Sequence, residues 1–208
     1  MITLPCRVAE RTASLPDELA AHLLRVRKLA RKLAKRHGVD RDASELGAAC
    51  HDLARHMKPE DLLEEAARLE LPVHPMERRV PIMLHGPVAA RWLERDGEIS
   101  DPRVIESVRY HTTGKSGMSD VSRVVFLADK LEPKKIKRRP NLKEVLQLAK
   151  VDIDTALLEY LNRHIVRRVE RGDLLHPRML EFRNELIVGF PENEVVSGQD
   201  MAVEQGVR

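Results

Sequence analysis

An all-α fold is what this sequence predicts, and three observations carry that reading. Apolar residues recur at three- and four-residue spacing along most of the chain, the period of helices with one buried face. Glycines and prolines fall mostly between those segments, where connectors belong. No run alternates apolar and polar residues as a half-buried strand does, and no unit of about 20–50 residues repeats.

The clearest segment runs from Ser14 to Gly38. Ser14 with Asp17 three residues later resembles a capping box, and Gly38 supplies a C-terminal stop. Leu19, Leu23, Val26, Leu29 or Ala30, and Leu33 line one face between them. A second helix is expected to start at Asp42, with Glu45 three residues on, and to carry Leu46, Ala49, Cys50 and Leu53. Pro59 stands where a first helical turn tolerates proline, ahead of EDLLEEAARLEL. Helices follow over HGPVAARWLER, DPRVIESVRYH, SDVSRVVFLADKL and NLKEVLQLAK, and two more across DIDTALLEYLNRHIVRRVERG and HPRMLEFRNELI. KKIKRRP, Lys134 to Pro140, reads as a basic loop. From about Pro191 the apolar period disappears, so residues 191–208 are expected to form a flexible tail. The expected organisation is an N-terminal extension over 1–13, one helical domain over 14–190, and that tail.

Composition narrows the class. A chain of 208 residues buries a core without staples. The net charge of +3 is a mild bias, which argues against an obligatory nucleic-acid coat. Aromatic residues are only 3%, so stacking of bases on exposed rings is not the expected mode of binding. Cys6 and Cys50 are too few for a disulfide framework and fit a reducing compartment. No apolar run reaches the length of a membrane span, and the start MITLPCRVAERTASLP lacks a basic residue ahead of a long apolar stretch. The expected location is the cytoplasm, with no membrane partner.

Chemistry-bearing residues recur at helix positions that otherwise look apolar. His22 shares a stripe with Val26 and Leu29; His51 and Asp52 follow Cys50; His85 opens HGPVAA; His111 ends a helix at RYHTTG; Asp129 sits inside VVFLADKLEP. The aspartate is the most telling, because a buried carboxylate without a partner costs several kcal/mol. A lone histidine on an apolar face is usually a satisfied core residue, but six such accidents on separate helices are hard to sustain. Mixed imidazole and carboxylate ligands suit iron, manganese or similar ions better than calcium. Structural zinc is disfavoured for want of thiolates, since Cys50 reads as packing.

The order His, His-Asp, His, His, Asp resembles the HD-domain metal-dependent phosphohydrolases. HDLAR, LHGPVAA, RYHTTGKSGMS and LADKLEP are similar to segments of the bacterial YqeK-type symmetrical bis(5′-nucleosyl)-tetraphosphatases, over roughly Leu19 to Leu186. The resemblance implies an HD-domain helical bundle with a dinuclear metal site, most often iron. It implies His22, His51, Asp52 and Asp129 on the first ion, and His85 and His111 with a bridging Asp52 on the second. Catalysis is expected from Asp52, Arg55 and Asp129, with a metal-activated water attacking an inner phosphorus of diadenosine tetraphosphate to give two ADP. Contacts to the dinucleoside polyphosphate are expected from Arg55, Thr112, Lys135, Leu175, His176 and Pro177, a helix entry built on Pro177 being an equal reading of the last three, and the resemblance allows a homodimer. For Arg55 and Lys135 a solvated charge is an equal reading, and for Lys130 the better one. Relatives usually carry an arginine where this chain has Leu19, so a phosphate contact is either missing or supplied by Arg25. His37 sits at a helix C-terminus, where the dipole favours a cation; His56 follows the HDLAR turn, His74 and His164 have no inferable partner, and all four are expected to be structural or exposed. The alternatives are another HD-type nucleotide phosphohydrolase or phosphodiesterase, or a helical module that binds RNA or the ribosome through the 134–139 basic loop. Cyclic-dinucleotide phosphodiesterase activity is disfavoured because no GYP motif is present.

Overall fold

The computed structural model describes residues 1–189, so the expectation for 191–208 lies outside the described residues. In chain order the helices are α1 (Cys6–Ala13), α2 (Asp17–His37), α3 (Arg41–Cys50), α4 (Pro59–Arg68), α5 (Pro75–Arg79), a 3₁₀ turn (Pro81–Leu84), α6 (His85–Asp96), α7 (Pro102–Tyr110), α8 (Asp120–Lys130), α9 (Pro133–Arg138), α10 (Leu142–Leu148), α11 (Ile153–Glu170) and α12 (Pro177–Gly189). Among the described residues there is no strand. None of these helices is long and apolar enough to cross a membrane.

Helix ends follow local chemistry, and three differ from expectation. Ser14 does not cap α2: its hydroxyl donates to the Arg11 carbonyl at 2.8 Å and closes α1, and α2 starts after Pro16 without a side-chain cap. The pattern of residues 6–13 is too short to stand out, yet Val8 is buried and Arg7 and Arg11 both pair with Asp96. The second expected helix starts earlier than Asp42, because the Asp40 carboxylate accepts from the N–H groups of Asp42 and Ala43. Glu45 completes no box there; it is buried and ion-paired with Arg27 and Arg31. The basic stretch is no loop over Pro133–Arg138: Glu132 accepts from the N–H groups of Lys134 and Lys135, and Pro133 opens the turn. The α2 end behaves as read, with Asp17 and Glu18 at its start, three basic residues at its finish and Gly38 in the left-handed region at φ +68°.

Two apolar clusters hold the bundle. Val26, Ala30 and Leu33 of α2 join α8, α10, α11 and α12 around Phe126, whose ring meets Tyr160 and Phe182 edge-on. Leu23, on another face of α2, joins Val8, Cys50, Leu62, Val88 and Val108. Helices α2, α3, α7 and α8 pack on one another and span both clusters.

Candidate metal centre

Five of six candidate ligands sit at or beside helix ends, which lets side chains from different elements converge. His51 caps α3 and Asp52 follows it; His85 opens α6; His111 caps α7; Asp129 lies one residue before the end of α8; only His22 is inside a helix. All six are buried or nearly so, with relative exposures of 9% for His22 and 0–7% for the rest.

The structure gathers them into one cluster. Nε2 of His22 is 3.3 Å from Nε2 of His51 and 3.2 Å from Oδ1 of Asp129, and His51 Nε2 is 3.5 Å from that same oxygen. On the other side, Nε2 of His85 and of His111 are 2.8 Å apart. Asp52 stands between the two sets. Its Oδ2 is 3.6 Å from both His22 and His51, while its Oδ1 is 3.0 Å from His85 and 3.3 Å from His111. The triads His22–His51–Asp129 and His51–Asp52–His111 each place their ligand atoms within 4.8 Å of one another, close enough to hold a metal ion.

Proton placement supports the same use. Nδ1 of His51, His85 and His111 each faces a backbone carbonyl, of Ala48, Ile82 and Val108. A carbonyl only accepts, so these nitrogens donate, and in the neutral ring Nε2 keeps its lone pair turned into the cluster. Burial pushes His111 down to about 3, so it is neutral. Two imidazole lone pairs at 2.8 Å repel unless a cation lies between or beside them, so the donor set fits a bound cation. The carboxylates are charged as well. Without a cation, protons on the ring nitrogens take its place beside Asp52: burial, the largest influence, raises it, and His51, His111 and His85 hold it well below the carboxylate range. Burial likewise opposes the ionisation of Asp129, and Lys130 and Lys135 with His22 and His51 outweigh it.

Residues 19–134 match the HD-domain family model. The chain belongs to the HD-domain family. Over 175 residues it is 30% identical to the symmetrical bis(5′-nucleosyl)-tetraphosphatase of Bacillus subtilis (strain 168), a match covering 84% of this chain and 92% of the relative. It is 26% identical over 172 residues to the protein of the same name from Staphylococcus aureus (strain NCTC 8325 / PS 47), covering 82% and 87%. The fold matches the crystal structure of a predicted HD superfamily hydrolase involved in NAD metabolism from Clostridium acetobutylicum, with TM-score 0.82, 24% identity, and coverage of 88% of this chain and 96% of that one. Family and relatives make this HD-domain chain a hydrolase.

Around the centre, the HD domain places the remaining candidates unevenly. Thr112 Oγ1 lies 3.1 Å from His111 Nε2 and 3.4 Å from His85 Nε2. Lys130 reaches Oδ2 of Asp129 at 2.7 Å and Lys135 pairs with Oδ1. Arg55 is exposed one turn beyond His51, with no ion pair among the described residues. Leu175 packs on the α8–α11 core, and His176 is buried against Glu77, 3.6 Å away, with its ring 4.8 Å from that of His74. Pro177 is the exposed first residue of α12. No hydrogen bond or ion pair among the described residues joins these three to the six-residue cluster. His74, without an inferable partner in the sequence, caps α5 by accepting from the Met76 N–H. His37 binds the Ala149 carbonyl. Cys50 is fully buried, and burial pushes its thiol up to about 12.

Sequence reasoning missed Glu132. Its Oε2 accepts from Arg25 Nε at 2.7 Å, and its Oε1 is 3.7 Å from His22 Nδ1. Arg25 is therefore committed to Glu132 rather than left to replace the arginine absent at Leu19. The AD-x-x-EP piece contained this glutamate, but its partners lie 107 and 110 positions away, which no local pattern reveals.

Proposed function

We propose that this chain hydrolyses dinucleoside tetraphosphates, diadenosine tetraphosphate foremost, symmetrically into two nucleoside diphosphates. The carrying observation is Asp52, which turns one oxygen to His22 and His51 and the other to His85 and His111. The names of the relatives supply the substrate class. In this reading His22, His51, Asp52 and Asp129 hold one ion, and His85, His111 and Asp52 the second, with iron the first choice and manganese the next. Bound there, two such ions would supply the acidified water and the polarised phosphoryl oxygen that phosphoanhydride cleavage needs.

The chain's own groups do the rest. Backbone carbonyls on the Nδ1 atoms fix ring orientation and keep each Nε2 unprotonated. Lys130 and Lys135 bring positive charge to the Asp129 side, where it can neutralise the polyphosphate as well as the carboxylate. Thr112 offers a hydroxyl beside His111. The leaving group is a nucleoside diphosphate, a stable anion, so a strong general acid is not required. Residues 14–190 are the catalytic domain in this reading, working in the cytoplasm. The RNA-binding alternative loses support because Lys134 pairs with Glu18 and Lys135 is turned to Asp129 at the metal centre, so the stretch does not present all its lysines outward. Chromatography of the products tests the reading. ADP alone is expected from diadenosine tetraphosphate; equimolar AMP and ATP would overturn symmetrical cleavage.

A further inference from the structure

Beyond the six-residue centre lies a cationic hollow of about 220 Å³ between the end of α9, the start of α10 and α11. Arg139, Leu142, Tyr160, Arg163, His164 and Arg167 line it, and no carboxylate does. Arg163 is already committed, to Glu159, to Glu144 at 2.7 Å and to the Asn141 carbonyl at 2.7 Å. Arg139 and Arg167 are different: among the described residues their guanidinium groups meet no carboxylate. Guanidinium groups left without an anion beside a buried tyrosine suit bidentate binding of a phosphoryl group.

The polar groups between them are neutral. The His164 ring stacks on Tyr160 with centroids 5.5 Å apart, and its Nδ1 is 3.4 Å from the Tyr160 hydroxyl. Burial first, and then Lys130, Arg168, Arg139 and Arg167, push the imidazole down to about 4. Burial pushes the Tyr160 phenol up to about 12, so it keeps its proton.

The hollow is continuous in charge with the metal centre. Arg139 lies four residues after Lys135, just past the end of α9, and its N–H donates to the Lys135 carbonyl at 2.9 Å. Lys135 pairs with Asp129. On the other side, Lys130 Nζ sits 5.0 Å from the centroid of Phe126, whose ring packs edge-on against Tyr160 at 5.8 Å. Tyr160 feels Asp129 and Lys135 as well as Arg139 and Arg167, and His164 feels Lys130, so the lysines on Asp129 and the arginines of the hollow flank the same pair of rings.

We propose that Arg139, Tyr160, His164 and Arg167 form a second phosphate pocket, which holds a phosphoryl group of the polyphosphate beyond the bond that is cut. The ligand class rests on the hydrolase reading above; the pocket rests on its own geometry. Because its arginines act away from the reacting phosphorus, they contribute to binding more than to the chemical step.

Steady-state kinetics and calorimetry with inorganic pyrophosphate, both on metal-loaded protein, test it. Arg139→Gln and Arg167→Gln should each raise KM for diadenosine tetraphosphate about tenfold, with kcat within about threefold. Their pyrophosphate affinity should fall by a similar factor, metal content should stay unchanged, and Arg167→Lys should recover most of the loss. Lys143→Gln, on α10 but outside the hollow, is the control. Unchanged KM and pyrophosphate affinity in both arginine variants would overturn the pocket. So would an equal effect of Lys143→Gln that vanishes in high salt, which marks a diffuse field. If the wild type fails to cleave the dinucleotide while the arginine variants alone lose pyrophosphate, the pocket stands and the substrate reading falls.

Discussion

Asp52 is buried, ionised and within 3.6 Å of four imidazole nitrogens. Removing it leaves those four rings facing one another without an anion, so Asp52→Ala should abolish hydrolysis and release at least one ion per chain. Metal analysis beside the activity assay checks this. Normal turnover in a folded, metal-loaded Asp52→Ala protein would sink the assignment. Lys135 carries a different burden, since an ammonium is no ligand. If it holds phosphate, Lys135→Ala should lower kcat/KM by about tenfold to a hundredfold, ~1.4–2.7 kcal/mol, with metal retained. Lys137 and Arg138 are exposed and pair with no carboxylate among the described residues, so alanine there should cost much less. Equal small losses at all three, erased by salt, would strip Lys135 of its role. The six cluster residues were legible in the sequence because a histidine or aspartate inside an apolar stripe demands a partner. Glu132 and Arg25 were not, because neither breaks a local pattern and their pairing is long-range.

At the scale of elements, the centre depends on how closely α6 and α7 approach. Gly86 follows His85, and a Cβ placed there would come within 2.8 Å of the Val108 carbonyl and 3.2 Å of His111 Cε1. Both atoms belong to the turn that sets the His111 ring, because Val108 accepts from its Nδ1. Gly86→Ala should therefore push the His85 and His111 sides apart, cost about 1–3 kcal/mol in stability by overpacking, and weaken the His85–His111 ion before the other. Metal stoichiometry and thermal unfolding measured together check this; full metal content at unchanged Tm would show that α6 and α7 relax freely. Helix periodicity revealed α2, α4, α6, α7, α8 and the long α11, whose buried faces run for several turns. It failed at α5 and α9, too short for a period to repeat, and at α1, which buries only Val8 and so has no apolar face to repeat. The starts of α2 and α3 were misplaced because a serine or aspartate near a helix start serves whichever backbone donors or carbonyls the chain brings to it. Ser14 closed the preceding helix, and Asp40 lay two residues ahead of the residue that looked like the start.

For the whole molecule, the cluster lies where both apolar cores meet, since α2 feeds one through Val26 and the other through Leu23. The HD domain thus builds its interior around a polar centre of four imidazoles and two carboxylates. An ion that binds only the folded chain adds to stability by mass action, ~2.7 kcal/mol when free metal stands at 100 times its Kd. For a chain of this size each kcal/mol moves Tm by roughly 2–4 °C. Stripping metal with a chelator should then lower Tm by about 5–10 °C, and readdition of iron or manganese should restore it. The same treatment of Asp52→Ala should move Tm less, because that variant has less metal to lose. This separates a linked metal centre from a general chelator effect: an equal drop in both proteins would point to the latter. A wild-type protein that loses two equivalents of metal with no change in Tm would show that the cluster is held by its own hydrogen bonds, and the metal would then contribute to chemistry alone.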